Sequence, residues 1–556
     1  MWTDTNTHVS YAGLNAVTVQ VPDIVSVADS SATGAAVRKA PPPQLKACSE
    51  VIDFDVFPHT EHTGENIRSW LEDRLKKHVV PYGAVAGLTP DGASDGQCAL
   101  NLIPALREKV DTCTEHALQR AVLFSIGIAG TDSKNPELKE LLRRHNRYAQ
   151  ASNQIRAVAY GIRETQVSSG VPAKHVLSTV DTMPTRWGNK YCQVERNNVL
   201  KPVLLPVVES WKSSHRTRRD AIVESDEQSR VGVAVPASQL GLDSNQWDQS
   251  LEIEGFLDHP YMLKEAIEKK MYMTGAQVLI SMQDLRRGCS PTSNLVVKLQ
   301  PPTPKLEDRT RAKEVRKYDE LFSMVVKARE IMSEELSARF FGERPSNLRL
   351  VQCYMSKQLP MKAWAPPTWV LLAKALYTRM LRTALTMGDA AERTGDEQPR
   401  DQQQTTAVAS GLFRNLLEED SEEEDPELMQ QPFDAITDEV HRWEVLDRSL
   451  LKEFMDEDGL LNEFALLYKL RTSFPLHYTV FRQTAAHLPH EANTEQLFSA
   501  AGNLSDNNGK MNPYNLSVWV SIGCNVTLHK PKLPDILKRY LQKFSRGAEA
   551  DLDDLQ

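Results

Sequence analysis

VIDFDVF, at residues 51–57, alternates apolar and acidic side chains, which is typical of a β-strand with one buried face. The next segment, HTGENIRSWLEDRLKKHVV, carries apolar residues at helical spacing from Ile67 to Leu75, and Thr63 is a candidate N-cap. AVAGLT, at residues 84–89, predicts a short strand that runs into the turn PDGASD. This part of the chain therefore predicts the order strand, helix, strand.

The sequence on either side of this stretch differs in character. Residues 1–22 are mostly apolar and β-prone, so further strands are predicted there. From residue 96 onward the pattern is helical almost throughout, with apolar residues three and four apart in CALNLIPALREKV, EHALQRAVLFSIGI, YMLKEAIEKKMYMTGAQVLISM, KYDELFSMVVKAREIMSEEL and WVLLAKALYTRMLRTAL. The predicted fold class is therefore α/β with a large all-α insertion.

One stretch, residues 387–432, breaks the helical pattern. It contains GDEQPRDQQQTTAVAS and the acidic run EEDSEEEDPE, which hold too few apolar residues to form a core, so a linker or disordered loop is predicted. An acidic segment that mimics nucleic acid is the alternative interpretation. Helical patterning returns at residue 433 and continues to the end of the chain.

Composition excludes several classes of protein. With 556 residues, two or more packed units are expected, and 41% hydrophobic with 25% charged residues is ordinary for a globular protein. No apolar run approaches the roughly 20 residues of a membrane span, and MWTDTNTHVSY lacks the zones of a signal peptide, so an intracellular protein without a membrane partner is expected. The seven cysteines form no CxxC pair, so no zinc site is expected. The net charge of -9 means that any DNA binding must be local.

Four segments carry motifs, in the order in which they occur. LTPDGASDGQCALN has Asp91 at the end of the short predicted strand, and CTEHALQ has a CxxH pattern at Cys113 and His116. PTRWGNKYCQVER contains TRW at residues 185–187. ANTEQLFSAAGNLSDNNGKMNPYNLSVWV contains Glu495 in the pattern ExxFSxAGN. In this order and context the four segments resemble the hAT superfamily of DNA transposases, and the resemblance covers nearly the whole chain.

The resemblance implies an RNase H-like core that is split by a helical insertion domain. Residues 1–116 would be the first part of the core, and residues 117–490 would be the insertion, with the linker at about 387–432 inside it. Residues 491–556 would hold the last core helix and the C-terminal dimerisation segment. The location implied is the nucleus, with DNA at transposon ends as the partner.

In this family a triad of carboxylates holds two divalent cations, one activating the nucleophile and the other stabilising the leaving oxygen. Carried over, Asp91 would be the second carboxylate and Glu495 the third, with Mg²⁺ or Mn²⁺ as the cofactor. Trp2 matches a tryptophan of the family's first hairpin, which puts the first aspartate one residue before Met1 and leaves Asp4 as an imperfect replacement. We therefore expect weak or no nuclease activity from this sequence.

Each of the two metal-binding carboxylates has an alternative interpretation. Asp91 precedes a glycine and is also compatible with a pure turn residue, although its place at the end of a strand favours the site. Glu495 is also compatible with an ordinary carboxylate at a helix N-terminus.

The resemblance also implies DNA contacts from Cys113, His116, Arg186 and Trp187. Trp187 would stack on an extruded base and Arg186 would bind a phosphate. The residues leave other interpretations open, because a tryptophan is as well suited to a protein core, a histidine to a helix face and a cysteine to a small buried position.

The C-terminal segment predicts self-association. Two short apolar helical faces are separated by the polar turn SDNNGK, and such faces need to pack against the core, the insertion or a second copy. We expect a homo-oligomer in which the contacts come from Leu497, Phe498, Leu516, Trp519 and Val520.

Two classes of function follow from these observations. The first is a cut-and-paste DNA transposase that works through divalent metal if its first catalytic aspartate is supplied. The second is a catalytically inactive, domesticated protein that dimerises and binds DNA or protein. A nuclear regulatory factor that uses only the helical region is a third class.

Overall fold

The computed structural model describes residues 2–3, 10–20, 45–82, 85, 87–90, 94–107, 109–130, 133–180, 187–214, 222–225, 232–236, 239–269, 273–301, 311–342, 345–393 and 433–485, with Ala501 and Val520. The chain divides into two units. The sheet unit contains residues 1–113, 270–277 and 345–556, and the helical unit contains residues 114–269 and 278–344. The predicted domain boundaries at residues 116 and 490 stay a prediction.

The sheet unit begins with three antiparallel strands in the order β1-β2-β3, which are β1 (Trp2–Thr3), β2 (Ser10–Gln20) and β3 (Lys46–Val56). Leu14 lies opposite Asp53, and the register shifts between Leu14 and Asn15. The strands predicted within residues 1–22 and at residues 51–57 are confirmed.

Helix α1 (Gly64–Lys77) covers one face of this sheet. Thr63 is its N-cap, as predicted, because the side chain accepts a hydrogen bond from the Asn66 amide. The buried face of α1 packs with residues of the strands and of the following helices in one apolar core, made of Ala12, Phe57, Trp70, Leu71, Leu75, Leu100, Ile103 and Leu106. Burial of these side chains is the main stabilising term for this part of the fold.

The alternation predicts a solvated face for the acidic positions of β3, and the structure differs at Asp53, whereas Asp55 is partly exposed. Asp53 is buried beneath the end of α1, where Lys77 and His78 lie 3.0 Å and Arg74 lies 3.6 Å from its Oδ2. Burial raises the pKa of Asp53, but hydrogen bonds from His78 and Lys77 and the nearby positive charges outweigh it, so the pKa lies below its ordinary value. Acidic side chains can face a helix here because that helix ends in basic residues.

Two short segments joined by an isolated parallel bridge between Leu88 and Val110 follow α1. The Leu88 amide donates to the Lys109 carbonyl, the Asp111 amide to the Leu88 carbonyl and the Cys113 amide to the Pro90 carbonyl. The two segments are joined by α2 (Ser94–Asn101) and α3 (Pro104–Arg107). The helical prediction over CALNLIPALREKV is confirmed for residues 98–101 and 104–107, in two helices, because Pro104 has no amide hydrogen to donate and starts a new helix.

The helical unit contains seven helices among its described residues. They are α4 (Thr114–Ser125), α5 (Pro136–Gln154), α6 (Arg156–Ser168), α7 (Trp187–Ser214), α8 (Ser244–Lys269), α9 (Gly275–Gly288) and α10 (Ser323–Leu336). The first three residues of α9 belong to the sheet unit. The helical prediction for this part of the chain is largely confirmed, although the pattern over YMLKEAIEKKMYMTGAQVLISM is divided between α8 and α9.

Two antiparallel hairpins interrupt these helices and were not predicted. They are β4 (Ile222–Ser225) with β5 (Gly232–Val235), and β6 (Leu295–Lys298) with β7 (Lys313–Arg316). Four-residue strands are too short to show an alternating pattern, and tertiary contacts hold them instead. The Gln154 side chain exchanges two hydrogen bonds with the Val223 backbone, at 2.7 and 2.8 Å.

Six further helices belong to the sheet unit, namely α11 (Asn347–Met355), α12 (Pro367–Arg393), α13 (Phe433–Glu444), α14 (Arg448–Leu451), α15 (Glu463–Lys469) and α16 (Pro475–Thr484). Helix α12 continues past residue 387, where a linker was predicted, because the segment MGDAAER holds mostly good helix formers. None of the described helices is long and apolar enough to cross a membrane.

Glu463 joins three separate segments of the sheet unit. Its Oε1 accepts hydrogen bonds from the Ser356 hydroxyl at 2.6 Å and the Lys357 amide at 3.0 Å, and its Oε2 accepts one from the Thr274 hydroxyl at 3.0 Å. Burial raises the pKa of Glu463, although these hydrogen bonds act in the opposite direction. The carboxylate therefore ties the start of α9 to the segments around α11 and α15.

Candidate site at the ends of two parallel strands

The carboxyl ends of the two parallel segments, residues 88–90 and 109–113, lie side by side in the sheet unit. The Cys113 amide donates to the Pro90 carbonyl at 3.3 Å, and Pro90 directly precedes Asp91 in the chain. The backbone thus places Cys113 beside Pro90, the residue before the predicted catalytic Asp91. Cys113 itself is fully buried, which favours its interpretation as a small core residue.

Asp111 is an acidic residue at this strand end that the sequence interpretation missed. Its Oδ2 accepts a hydrogen bond from the Ser346 hydroxyl at 2.6 Å and lies 3.3 Å from the Arg349 Nε, and its Oδ1 accepts one from the Ser346 amide at 3.4 Å. Ser346 is also the N-cap of α11, where its side chain accepts from the Arg349 amide at 3.2 Å. Asp111 therefore fixes the start of α11 to the end of the strand.

The pair of Asp111 and Arg349 is enclosed. Both side chains are less than a tenth exposed, and the Arg349 Nη2 has no hydrogen-bond partner among the described residues. Two charges out of water are stable only when each compensates the other, so the Asp111 carboxylate is committed to Arg349 and Ser346. The sequence does hold one signal for this residue, since Asp111 follows directly on the apolar Val110 at the end of an extended segment.

Several predicted site residues lie outside the described residues. They are Asp4, Asp91, Arg186, Glu495, Leu497, Phe498, Leu516 and Trp519. Val520 is described and is buried, and His116 lies half-buried on α4 in the helical unit. The roles predicted for these residues stay predictions.

Trp187 begins α7 and is only 2% exposed. Its ring packs edge to face on Tyr261, with centroids 6.3 Å apart, and Tyr261 in turn stacks on Tyr191 at 4.3 Å. The Tyr191 hydroxyl donates to Asp258 at 2.7 Å. This packing favours the alternative interpretation of Trp187 as a core anchor over the stacking of a DNA base.

The described residues do not make a cage for a divalent cation at the strand ends. Among them no three His, Cys, Asp or Glu side chains converge as metal ligands, and Asp111 is held by a cationic neighbour that would repel a metal ion. The Mg²⁺ or Mn²⁺ site predicted at Asp91 and Glu495, which lie outside the described residues, stays a prediction.

Searches of this sequence against models of known protein families and against curated proteins returned no match. The resemblance to hAT transposases thus depends on the motif residues and their order.

Proposed function

We propose that the chain is a hAT-like transposase or a transposase-derived protein that binds DNA and self-associates in the nucleus. The observation that carries the proposal is the parallel backbone pairing of residues 88–90 with residues 109–113, after an antiparallel sheet and a helix. This order supports an RNase H-like core. The resemblance assigns Asp91, the residue after Pro90, as a catalytic carboxylate at that strand end.

Strand cleavage and transfer would require Mg²⁺ or Mn²⁺, held by Asp91, Glu495 and a further carboxylate. Asp111 does not fit as that carboxylate, because Ser346 and Arg349 already occupy its oxygens. Two carboxylates leave a cation under-coordinated, so cleavage requires a third carboxylate beside Asp91 and Glu495.

A cleavage assay with Mn²⁺ on hairpin or nicked DNA tests the catalytic part. Asp91→Ala is compared with Asp95→Ala, a matched acidic residue in the first turn of α2. Robust cutting that Asp91→Ala abolishes and Asp95→Ala preserves would establish the active enzyme in place of the inactive derivative. A chain that binds no DNA at low salt would contradict the proposed function as a whole.

A catalytically inactive, dimerising factor is the second candidate, and the burial of Trp187 favours it, because this residue is then unavailable to handle a transposon end. Sedimentation velocity of Leu516→Glu and Trp519→Glu tests the self-association that both candidates share. The matched control is Val315→Glu, at an exposed apolar residue of β7. Dissociation is expected only for the two C-terminal variants, and a wild-type chain that sediments as a monomer would rule out the dimerisation segment.

A further inference from the structure

A π-helical turn, Ser337–Phe341, directly follows α10 in the helical unit. Such turns are rare and occur frequently at functional sites. This one carries Arg339 and Phe341, and both take part in contacts between a cation and an aromatic ring. The turn therefore presents charged and aromatic side chains that are available for a functional surface.

Three cationic groups converge on the half-buried ring of Phe124, which lies on α4. The Arg120 guanidinium lies 5.2 Å, the Lys134 ammonium 5.5 Å and the Arg339 guanidinium 5.6 Å from the ring centroid. All three cationic residues are exposed. The aromatic face compensates part of their mutual repulsion and holds them close together.

Carboxylates do not balance these charges. Glu335 pairs with Lys134 at 3.3 Å and with Arg339 at 2.8 Å, so one carboxylate serves two cations. Arg120 makes no ion pair with any residue that the structure describes. Counted over the described residues, the cluster around Phe124 has three cations and one carboxylate.

A third arginine extends the positive surface to the ring of Phe341, the last residue of the π-helical turn. The Arg286 guanidinium lies 4.6 Å from the Phe341 centroid, donates to the Ser337 hydroxyl at 3.3 Å and has no ion pair within the described part of the chain. Burial, and after it the charge of Arg287, lowers the pKa of Arg286. The acidic Asp284 nearby is 74% exposed and lies 3.8 Å from His259.

We propose that Arg120, Lys134, Arg286 and Arg339, arranged around Phe124 and Phe341, form a cationic surface that binds the phosphate backbone of duplex DNA. The proposal rests on the DNA binding in the proposed function and names where that binding occurs. A chain with a net charge of -9 cannot bind DNA through bulk charge and needs a local surface of this kind. Arginine suits the task because its planar fork pairs with phosphate oxygens while its face rests on an aromatic ring.

The geometry favours an extended polyanion over a single small anion. The cations lie against two separate aromatic rings, Phe124 and Phe341, and most of them are exposed rather than gathered into an enclosed pocket. Contacts of this type are made to the backbone and give no sequence preference by themselves. The surface is therefore expected to contribute affinity and salt dependence.

Fluorescence anisotropy of the full chain with a mixed-sequence DNA duplex, between about 50 and 200 mM salt, tests the surface. Arg120→Gln combined with Arg339→Gln should weaken binding about tenfold or more and reduce the salt slope by about 2, because each lost phosphate contact removes about 0.9 from that slope. The matched control is Arg482→Gln, at an exposed arginine of the sheet unit that lies 5.8 Å from the Tyr478 ring centroid and makes no ion pair among the described residues. Its affinity and slope should equal those of wild type.

The outcomes separate this proposal from the proposed function. If wild type binds the duplex and the double variant binds it with the same affinity and salt slope, the cationic surface is overturned while DNA binding by the chain stands. If wild type binds no DNA duplex, both proposals fail. If wild type binds only an RNA duplex of the same sequence, the surface has a different partner and the DNA assignment is wrong.

Discussion

Charged side chains are enclosed in one region of the molecule and exposed in another. The first region is the strand end of the sheet unit, and the second is the cationic surface of the helical unit. Asp111 and Arg349 are enclosed, and each compensates the other. Arg120 is exposed, lies beside an aromatic ring and has no carboxylate partner among the described residues. Buried charges decide stability when a partner is lost, whereas exposed charges contribute little to stability and stay available for a ligand. The first group should therefore control folding, and the second should control binding.

Trp187→Ala is expected to have the largest effect on stability. Removing a buried indole leaves a cavity beside Tyr261 and should lower the free energy of unfolding by about 3–5 kcal/mol. Urea denaturation measures it, and Trp187→Phe is the milder control that keeps an aromatic ring. If Trp187→Ala weakened DNA binding while leaving the urea midpoint unchanged, Trp187 would serve binding and not the stability of the fold.

Asp111→Asn should be the next most damaging change. It leaves the buried Arg349 guanidinium without its carboxylate, and the expected loss is about 3 kcal/mol, because breaking a buried ion pair on one side costs about that much. The double variant Asp111→Asn with Arg349→Met removes both charges and should be more stable than Asp111→Asn alone. Additive losses in a double-mutant cycle would show that the two side chains do not depend on each other.

The sheet and the first helix were predictable because local signals and tertiary structure agree there. The alternation of VIDFDVF, the apolar spacing between Ile67 and Leu75 and the Thr63 cap all point to the elements that form. The acidic face of β3 was not predictable from alternation, because its cover comes from the basic end of α1.

Much of the candidate site could not be found from the sequence. Asp111 and Ser346 are separated by 235 positions, and no local pattern indicates that they meet. The sequence alone does not decide between a core position and base stacking for Trp187, because a tryptophan suits both. Its neighbours in the fold make the difference. The motif order predicts Asp91 as a site residue, and because Asp91 lies outside the described residues this stays a prediction.

The buried His145 makes the stability of the helical unit depend on pH. The ring is fully buried, its Nδ1 accepts from the Asn197 side chain at 3.2 Å, and burial lowers its pKa to about 3. The unfolded state binds a proton near the ordinary pKa of 6.5 and the folded state does not, so stability falls as pH decreases from about 6.5 toward 3. The expected slope reaches about 1.4 kcal/mol per pH unit.

Urea midpoints of wild type and His145→Gln, measured at several pH values, isolate this contribution. The chain contains 14 histidines, so only the difference between the two proteins reports on His145. If the difference in urea midpoint stayed constant from neutral to acidic pH, His145 would take up its proton in the folded protein as readily as in the unfolded chain. Its ring would then need contact with solvent or an acidic neighbour.

Arg120→Gln is expected to have the smallest effect on stability, within about 0.5 kcal/mol, because an exposed residue without an ion pair in the described part of the chain loses only its contact with the Phe124 ring. Thermal melting of wild type and Arg120→Gln at equal ionic strength measures it. Arg339→Gln is the useful companion, since it also breaks the pair with Glu335 and should cost slightly more. If Arg120→Gln lowered the free energy of unfolding by several kcal/mol, the cations around Phe124 would stabilise the packing of the helices. The cationic surface would then serve the fold, as the enclosed pair of Asp111 and Arg349 does.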